Sequence, residues 1–363
     1  MFNNKSRLAR AVMAVGTTVA LAACSGSSAT QAPASQAPAS QAASSQAASS
    51  QAPASQAPAS QAASSQATGK TYRVAYIARA QSDSFAAWLA NSIKAEAAKY
   101  PDINLTVQDG QAKDDVENGL IENAIANKFD LIIVQANNAP AQLPYLQKVI
   151  DAGIPLIVTN PRVEGLTGTF STIDANPYDQ GSGPAKLAFT QIPQNAEVVV
   201  LRGPAGNYHG DQRRVAWKEQ FFDKRPDIKI VAEDTANWNK DEALTLMEDW
   251  IIAHPKIQAV IGMNDNMALG AIEAVKGKDQ YKSMLAYGVD GTAEAVLAIK
   301  AGTFTATALQ SALDLAKLNM QAAHDVLTGV KQKEDNFVPA PVITKDNADQ
   351  YIQMYKDAGI ITK

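Results

Sequence analysis

The chain is punctuated by short runs of β-branched and other apolar residues, each followed by a longer stretch with helical spacing. That alternation restricts the fold more than any other feature. The runs are Val74–Ala78, Leu105–Val107, Leu131–Val134, Leu156–Thr159, Val198–Leu201, Ile228–Ala232, Ala259–Met263, Leu285–Val289 and Thr305–Leu309. They are short and continuous rather than alternating, which is the pattern of strands buried on both faces. Between them, Trp88, Ile93, Ala97 and Tyr100 fall on one helical face. So do Val116, Leu120 and Ile121, and again Leu244, Met247 and Ile251. Pro101, Pro155, Pro226 and Pro255 stand at the helix-to-strand joints. Strands alternating with helices imply a parallel sheet covered on both faces. There are too many alternations for one ordinary open sheet, so the pattern predicts an α/β protein of two doubly wound parallel-sheet lobes.

The first 70 residues have a different character. Lys5, Arg7 and Arg10 precede an apolar run from Ala11 to Ala23, and Leu21-Ala-Ala-Cys24 closes it with the single cysteine of the chain. A basic start, a short apolar core and small residues before a cleavage point make a signal peptide, residues 1–23. The apolar run is too short to span a bilayer of about 30 Å. A lone cysteine after Leu-Ala-Ala looks like a bacterial lipobox, which predicts lipidation at Cys24 and an exported protein anchored by lipid, facing the periplasm or cell exterior. The alternative is a plain signal peptide with an incidental cysteine. Residues 24–70 follow as near-repeats of Ser-Gln-Ala-Pro-Ala and Ser-Gln-Ala-Ala-Ser-Ser, without an aromatic residue and uncharged up to Lys70. Such a composition cannot offset the entropy of ordering and predicts a disordered tether. As a flexible chain of about 45 residues it would span roughly 35–40 Å.

Charge narrows the partners. The chain has 32 basic and 36 acidic residues, and loss of Lys5, Arg7 and Arg10 with the signal leaves 29 basic against 36 acidic. That balance speaks against nucleic acid or an anionic membrane surface as partner. His209, His254 and His324 lack metal-ligand spacing, and no nucleophile elbow, Lys-Ser/Thr phosphate loop or dinucleotide fingerprint occurs. No metal, cofactor or catalytic residue is therefore expected.

Ligands of open parallel sheets bind beyond the carboxyl ends of the strands, so the residues just past each run carry the information. These are Arg79, Gln81, Ser82, Asp83, Ser84 and Phe85; Gln135, Asn137 and Asn138; and Asn160 and Arg162. They continue with Gly203-Pro-Ala-Gly206 and Arg213, then Trp238, Asn264 and Asp265, Asp290, and Gln310. Amides, carboxylates and arginines hydrogen-bond hydroxyl groups, and aromatic faces cover the apolar faces of sugar rings. Each position also has a plainer explanation. Asp265 and Asp290 could cap helices, Gly203–Gly206 could be an ordinary turn, Trp238 could be core, and Arg79, Arg162 and Arg202 could form a solvated rim.

Three segments bear a specific resemblance. Ala253-His-Pro, followed after an apolar run by Asn264-Asp-Asn-Met-Ala-Leu-Gly-Ala271, together with Gly288-Val-Asp-Gly-Thr292 and Gly203-Pro-Ala-Gly206, resembles the periplasmic sugar-binding proteins of the ribose and galactose type. The resemblance extends from Tyr72 to the C-terminus. Sugar-responsive repressors share the fold, but they carry a helix-turn-helix where this chain has a signal and tether. The resemblance implies a type I periplasmic binding protein fold with a three-stranded hinge. Residues 71–173 and 311–340 would form the N-terminal lobe, and 174–310 and 341–363 the C-terminal lobe. It also implies a solute receptor that delivers a sugar, polyol or cyclitol to the permease of an ABC importer. By position, Phe85 and Trp238 would sandwich the ring, and Arg213, Asn264, Asp290 and Gln310 would be polar contacts from the second lobe and hinge. Asn160 would contact from the first lobe, with Ser82, Ser84, Asn137 and Arg162 as further candidates.

Departures from the family's pattern shift the expected solute. Ribose binders show an Asn and two successive aromatics in the first loop and Asp-Arg after the fourth strand. Here the loop reads Gln81-Ser-Asp-Ser-Phe85, and the fourth strand ends Thr159-Asn-Pro-Arg162. The first-lobe wall is smaller and less acidic, which leaves room for a hexose, polyol or cyclitol. The arginines near strand ends add an acidic sugar as a further option. A sensor component presenting its solute to a membrane receptor, or an exported carbohydrate-active enzyme, are the alternative functions.

Overall fold

The computed structural model describes residues 70–330 and 335–362. The signal segment, Cys24 and the tether up to Gly69 lie outside the described residues. In chain order the first elements are β1 (Tyr72–Ala78), α1 (Ser84–Ala97), β2 (Ile103–Asp109), α2 (Asp114–Ala126), β3 (Leu131–Val134), α3 (Ala139–Asp151), β4 (Leu156–Thr159) and β5 (Ser171–Ala175). Next come α4 (Pro177–Gln191), β6 (Glu197–Arg202), α5 (Tyr208–Gln220), β7 (Lys229–Thr235), α6 (Lys240–Ala253), β8 (Ile257–Gly262), α7 (Asp265–Val275), β9 (Leu285–Asp290), α8 (Ala293–Ala301) and β10 (Ala306–Leu309). The chain finishes with α9 (Ala312–Leu327), β11 (Asn336–Val338), β12 (Val342–Ile343) and α10 (Ala348–Asp357).

Two six-stranded sheets result, in the orders β11-β5-β4-β3-β1-β2 and β12-β10-β9-β8-β6-β7. All neighbours are parallel except β12, which runs antiparallel to β10. The continuous apolar runs have a direct cause. In β1 and β3, Val74, Tyr76, Leu131 and Ile133 face a core shared with α1 and α9, while Ala75, Ile77, Ile132 and Val134 face α2 and α3. Side chains alternate between faces, and helices cover both, so neither parity can be polar. The four prolines named above all fall between a helix and the strand that follows it.

The chain passes between the sheets three times: from β5 to α4, from β10 to α9, and from β11 to β12. α9 packs on α1, β4 and β5 and so belongs with the first sheet. β5 keeps the chain in the first sheet through Ala175, two residues beyond the crossing placed at 173 from sequence. Three strands escape the apolar-run criterion. β5 reads Ser-Thr-Ile-Asp-Ala, and β11 and β12 have three and two residues. The Ile228–Ala232 run also differs from expectation: the strand there is β7, at a sheet edge, and much of it is exposed.

Both sheets reverse direction of growth beside an inner strand, β1 against β3 in one and β6 against β8 in the other. At such a switch point the flanking loops diverge and leave a crevice. The cavity described next is lined from the carboxyl ends of β1 and β4 in the first sheet and of β6, β7, β8, β9 and β10 in the second.

Candidate functional site

A small cavity lies between the lobes, and every residue lining it is buried. The second lobe and hinge supply Asn207, His209, Arg213, Trp238, Asn264, Asp290 and Gln310. The first lobe supplies Arg79, Asn160 and Pro161. Of the residues expected from sequence, Asn160, Arg213, Trp238, Asn264, Asp290 and Gln310 are thus brought together. Ser82, Ser84 and Asn137 line a separate, wider pocket, open to solvent, that shares Arg79 and Trp238 with the inner cavity.

Two expectations are corrected. Phe85 lies in neither pocket; as the second residue of α1 it is buried in the first-lobe core, with its ring centroid 6.0 Å from that of Trp88. A helix begins at Ser84 because Asp83 caps it, accepting from the Ala86 N–H at 2.7 Å, and that turn sends Phe85 inward. Arg162 is outside the cavity as well: its guanidinium lies 5.0 Å from the Phe337 ring centroid, and its backbone N–H donates to Asp174. The first lobe therefore brings no aromatic ring to the inner cavity. Arg79, which sequence allowed as solvated rim, is buried and paired with Asp83 at 2.9 Å.

Arg213 is fixed on every side. Its Nε and Nη2 donate to Gln180 Oε1 at 2.9 and 2.8 Å, Nη1 donates to the Met263 carbonyl at 2.8 Å, and Nη2 donates to Gln310 Oε1 at 3.0 Å. Asp290 is held much more loosely. Its nearest charged partner is Arg213 at 3.7 Å, and Gln310 donates to it over 3.4 Å. Burial pushes its carboxyl well above the usual carboxylate range, and the Arg213 charge opposes that shift. Buried acceptors this poorly served are costly unless a further donor arrives.

Helix capping sorts the remaining polar residues. Asn264, rather than Asp265, caps α7, accepting from the Met267 N–H at 3.0 Å. This spends its carbonyl oxygen and leaves its amide N–H groups for other partners. Asp265 is fully buried and ties the second lobe together, accepting from the Thr292 N–H at 2.8 Å and the Thr307 hydroxyl at 2.6 Å. Burial raises its carboxyl to about 7 despite those bonds. Gly288 belongs to the same arrangement, since a Cβ there would come within 2.3 Å of an Asp265 oxygen.

Trp238 is both core and wall. It joins the second-lobe core and lines both pockets, and its indole N–H has no hydrogen-bond partner among the described residues. A Cβ on Gly203 would fall 2.2 Å from the indole, so the Gly203–Gly206 turn begins with glycine to let the ring lie flat against the backbone. Backbone strain gathers here too: Asn160, Trp238 and Asp290 have φ values of 35°, 61° and 120°. Non-glycine residues rarely adopt such values, and they cluster where a site over-determines the backbone.

Hydrogen bonds across the lobes close the cavity. The Ser84 hydroxyl donates to Asn266 Oδ1 at 2.8 Å, Asn207 Nδ2 donates to the Asn137 carbonyl at 3.2 Å, and His209 Nε2 meets Asp174 Oδ1 at 2.8 Å. Asn207 and His209 were not singled out from sequence. They lie at the N-cap and in the first turn of α5, six and four residues before Arg213, and α5's own N-cap would have flagged Asn207.

Two α/β lobes on a three-segment hinge, closed over a buried and polar cavity, define a protein that engulfs a small solute. The model of a family described as "Periplasmic binding protein domain" matches residues 74–331, and the chain belongs to that family. It is of the ribose and galactose type, a solute-binding receptor. Among its relatives, a xylitol-binding protein of Mycolicibacterium smegmatis is 32% identical over 238 residues, covering 64% of this chain and 66% of that protein. A D-apiose import binding protein of Actinobacillus succinogenes is 30% identical, covering 67% of this chain and 77% of its own length. An ABC transporter solute-binding protein from Bacillus halodurans C-125, crystallised with bound myo-inositol, superposes with a TM-score of 0.73 at 26% identity, covering 79% of this chain and 99% of that one.

Proposed function

We propose that this receptor captures a neutral polyhydroxylated solute, a sugar, polyol or cyclitol, and delivers it unchanged to the permease of an ABC importer. The observation that carries this reading is the buried Asp290 carboxylate, served among the described residues by long contacts to Gln310 and Arg213 in the cavity between the lobes. A pair of solute hydroxyls would supply the missing donors, and such charge-assisted bonds are roughly twice as strong as neutral ones. The Asn160 and Asn264 amides and the Trp238 ring complete a surface suited to hydroxyls and a CH face. An acidic sugar fits less well, because the cavity arginines already face carboxylates: Arg79 meets Asp83, and Arg213 meets Asp290. Arg202, on the second-lobe rim, pairs with Asp211 and Glu233. The relatives named for xylitol and apiose, and the structure holding myo-inositol, support the same class.

In this reading Cys24 carries the lipid, residues 24–70 form the tether, and the receptor works outside the cytoplasmic membrane. Phe85 and Arg162 drop out of the binding set, and Arg79, Asn207 and His209 join it.

Mass spectrometry of the solute released from natively purified protein, followed by calorimetry with xylitol, D-apiose, D-ribose, myo-inositol and D-glucuronate, tests the proposal. A neutral polyol should bind and be recovered unaltered. Preferential binding of glucuronate, or recovery of a cleaved product, would overturn it. Cys24→Ser should move the protein from the membrane to the soluble fraction, and continued sedimentation with membranes would remove the anchor.

A further inference from the structure

His209 sits where the two lobes and the solute cavity meet. It projects from the first turn of α5 in the second lobe, is buried, and lines the cavity. Its Nε2 lies 2.8 Å from Oδ1 of Asp174, at the end of β5 in the first lobe. Asp174 is itself immobilised, accepting from the Arg162 N–H at 2.9 Å and the Ala175 N–H at 2.8 Å. On the other side of the ring, Nδ1 lies 3.4 Å from Arg213 Nη2. A guanidinium can only donate, so Nδ1 must present its lone pair and the ring proton must sit on Nε2, pointing at Asp174. The geometry therefore selects one neutral tautomer.

We propose that His209 is a positioning residue for solute capture: its neutral ring fastens the second lobe to the first across the cavity wall, beside the Arg213 guanidinium that faces Asp290. The proposal rests on the two-lobe receptor reading but not on the identity of the solute. Unlike the Ser84–Asn266 and Asn207–Asn137 bonds, this one has a carboxylate acceptor and both of its partners are buried.

The charged groups facing the ring are Asp174 from β5, Arg213 from α5, and Arg79 beyond the end of β1, with Asp290 from β9 across the same cavity. A second ring proton would confront Arg213 Nη2. Burial is the main cause that holds the imidazole below its ordinary range, with Asp174 pulling the other way and the two arginines adding to the shift. When the lobes part, the ring meets water and titrates near its usual value of about 6.5. Open protein then binds more protons than closed protein between that value and the lower closed-state one. Closure is thus fully favoured above about pH 6.5 and weakens as the pH falls below it.

Spin labels on Lys113→Cys and Asp241→Cys, exposed positions on opposite lobes, read the mouth distance by pulsed electron spin resonance in full-length, solute-free protein carrying Cys24→Ser. His209→Ala should lower the ratio of closed to open protein about tenfold at pH 7.5, the loss expected for a hydrogen bond to a charged group. His209→Gln, which keeps an N–H donor, should recover part of the closed fraction and abolish its fall between pH 7.5 and 5.5. Thermal melting of the variants checks that both lobes remain folded. An unchanged distance distribution in His209→Ala, or an acid response that survives in His209→Gln, overturns the proposal, whether or not any solute of the panel binds.

Discussion

The two lobes share an architecture but treat the cavity differently. The second lobe and hinge supply seven of the lining residues, among them the Arg213–Asp290 pair, the Trp238 ring and the Asn264 amide, whereas the first supplies Arg79, Asn160 and Pro161. Arg213 is positioned by Gln180, Met263 and Gln310, all within the second lobe or at the crossing that leaves it, so its geometry does not require the first lobe. The first lobe acts as a cover: it seals the cavity and adds a few contacts. An asymmetric pair of this kind lets a solute dock on one prepared face before the other closes, and the closed form gains by the contacts that only it makes.

The largest effect expected from this asymmetry is at Trp238. Trp238→Ala should lower stability by about 3–5 kcal/mol, as for other buried tryptophans, and also weaken binding, because the ring is both core and wall. Melting of the solute-free variant and calorimetry separate the two losses; unaltered affinity in the folded fraction would make Trp238 purely structural.

The first lobe carries its own electrostatic liability. Glu117 is fully buried, accepts from the Asn137 N–H at 3.0 Å, and burial raises its carboxyl to about 8. A carboxyl raised above its unfolded value of about 4.3 favours folding at low pH, and stability falls as the pH rises from there to about 8. Glu117→Gln should remove that slope and gain a few kcal/mol, to order of magnitude, near pH 8. Parallel melting curves for wild type and Glu117→Gln across pH 5 to 8.5 would rule this out.

Smaller losses compare the faces directly. Asp290→Asn should cost about 1.5–3 kcal/mol of binding, or roughly ten- to a hundredfold in affinity. Asn160→Ala, on the covering lobe, should cost only about 0.5–1.5 kcal/mol. Calorimetry with the solute identified by mass spectrometry gives both values, and a larger loss at Asn160 would reverse the assignment of the lobes.

Much of this was legible in the sequence because strands buried on both faces leave continuous apolar runs, and the residues after them mark the cleft. Asn264, Asp290 and Gln310 were found that way. The misses have local causes. Phe85 follows a strand end, but the Asp83 cap starts a helix that turns it into the core. Arg79 looks like rim until its partner Asp83, four residues on, is seen to bury with it. His209 lies in a loop-to-helix turn, and its partner Asp174 is 35 residues away in a strand with no apolar run. β5, β11 and β12 were invisible for the same reason: their pairing comes from neighbours rather than from their own composition.

The central claim is that one solute is enclosed between a prepared second lobe and a closing first lobe. Small-angle X-ray scattering with and without the co-purifying solute tests it most directly. The radius of gyration should fall on saturation of wild type, and at the same solute concentration fall less in Asp290→Asn. An unchanged radius in wild-type protein shown by calorimetry to be saturated would contradict the account.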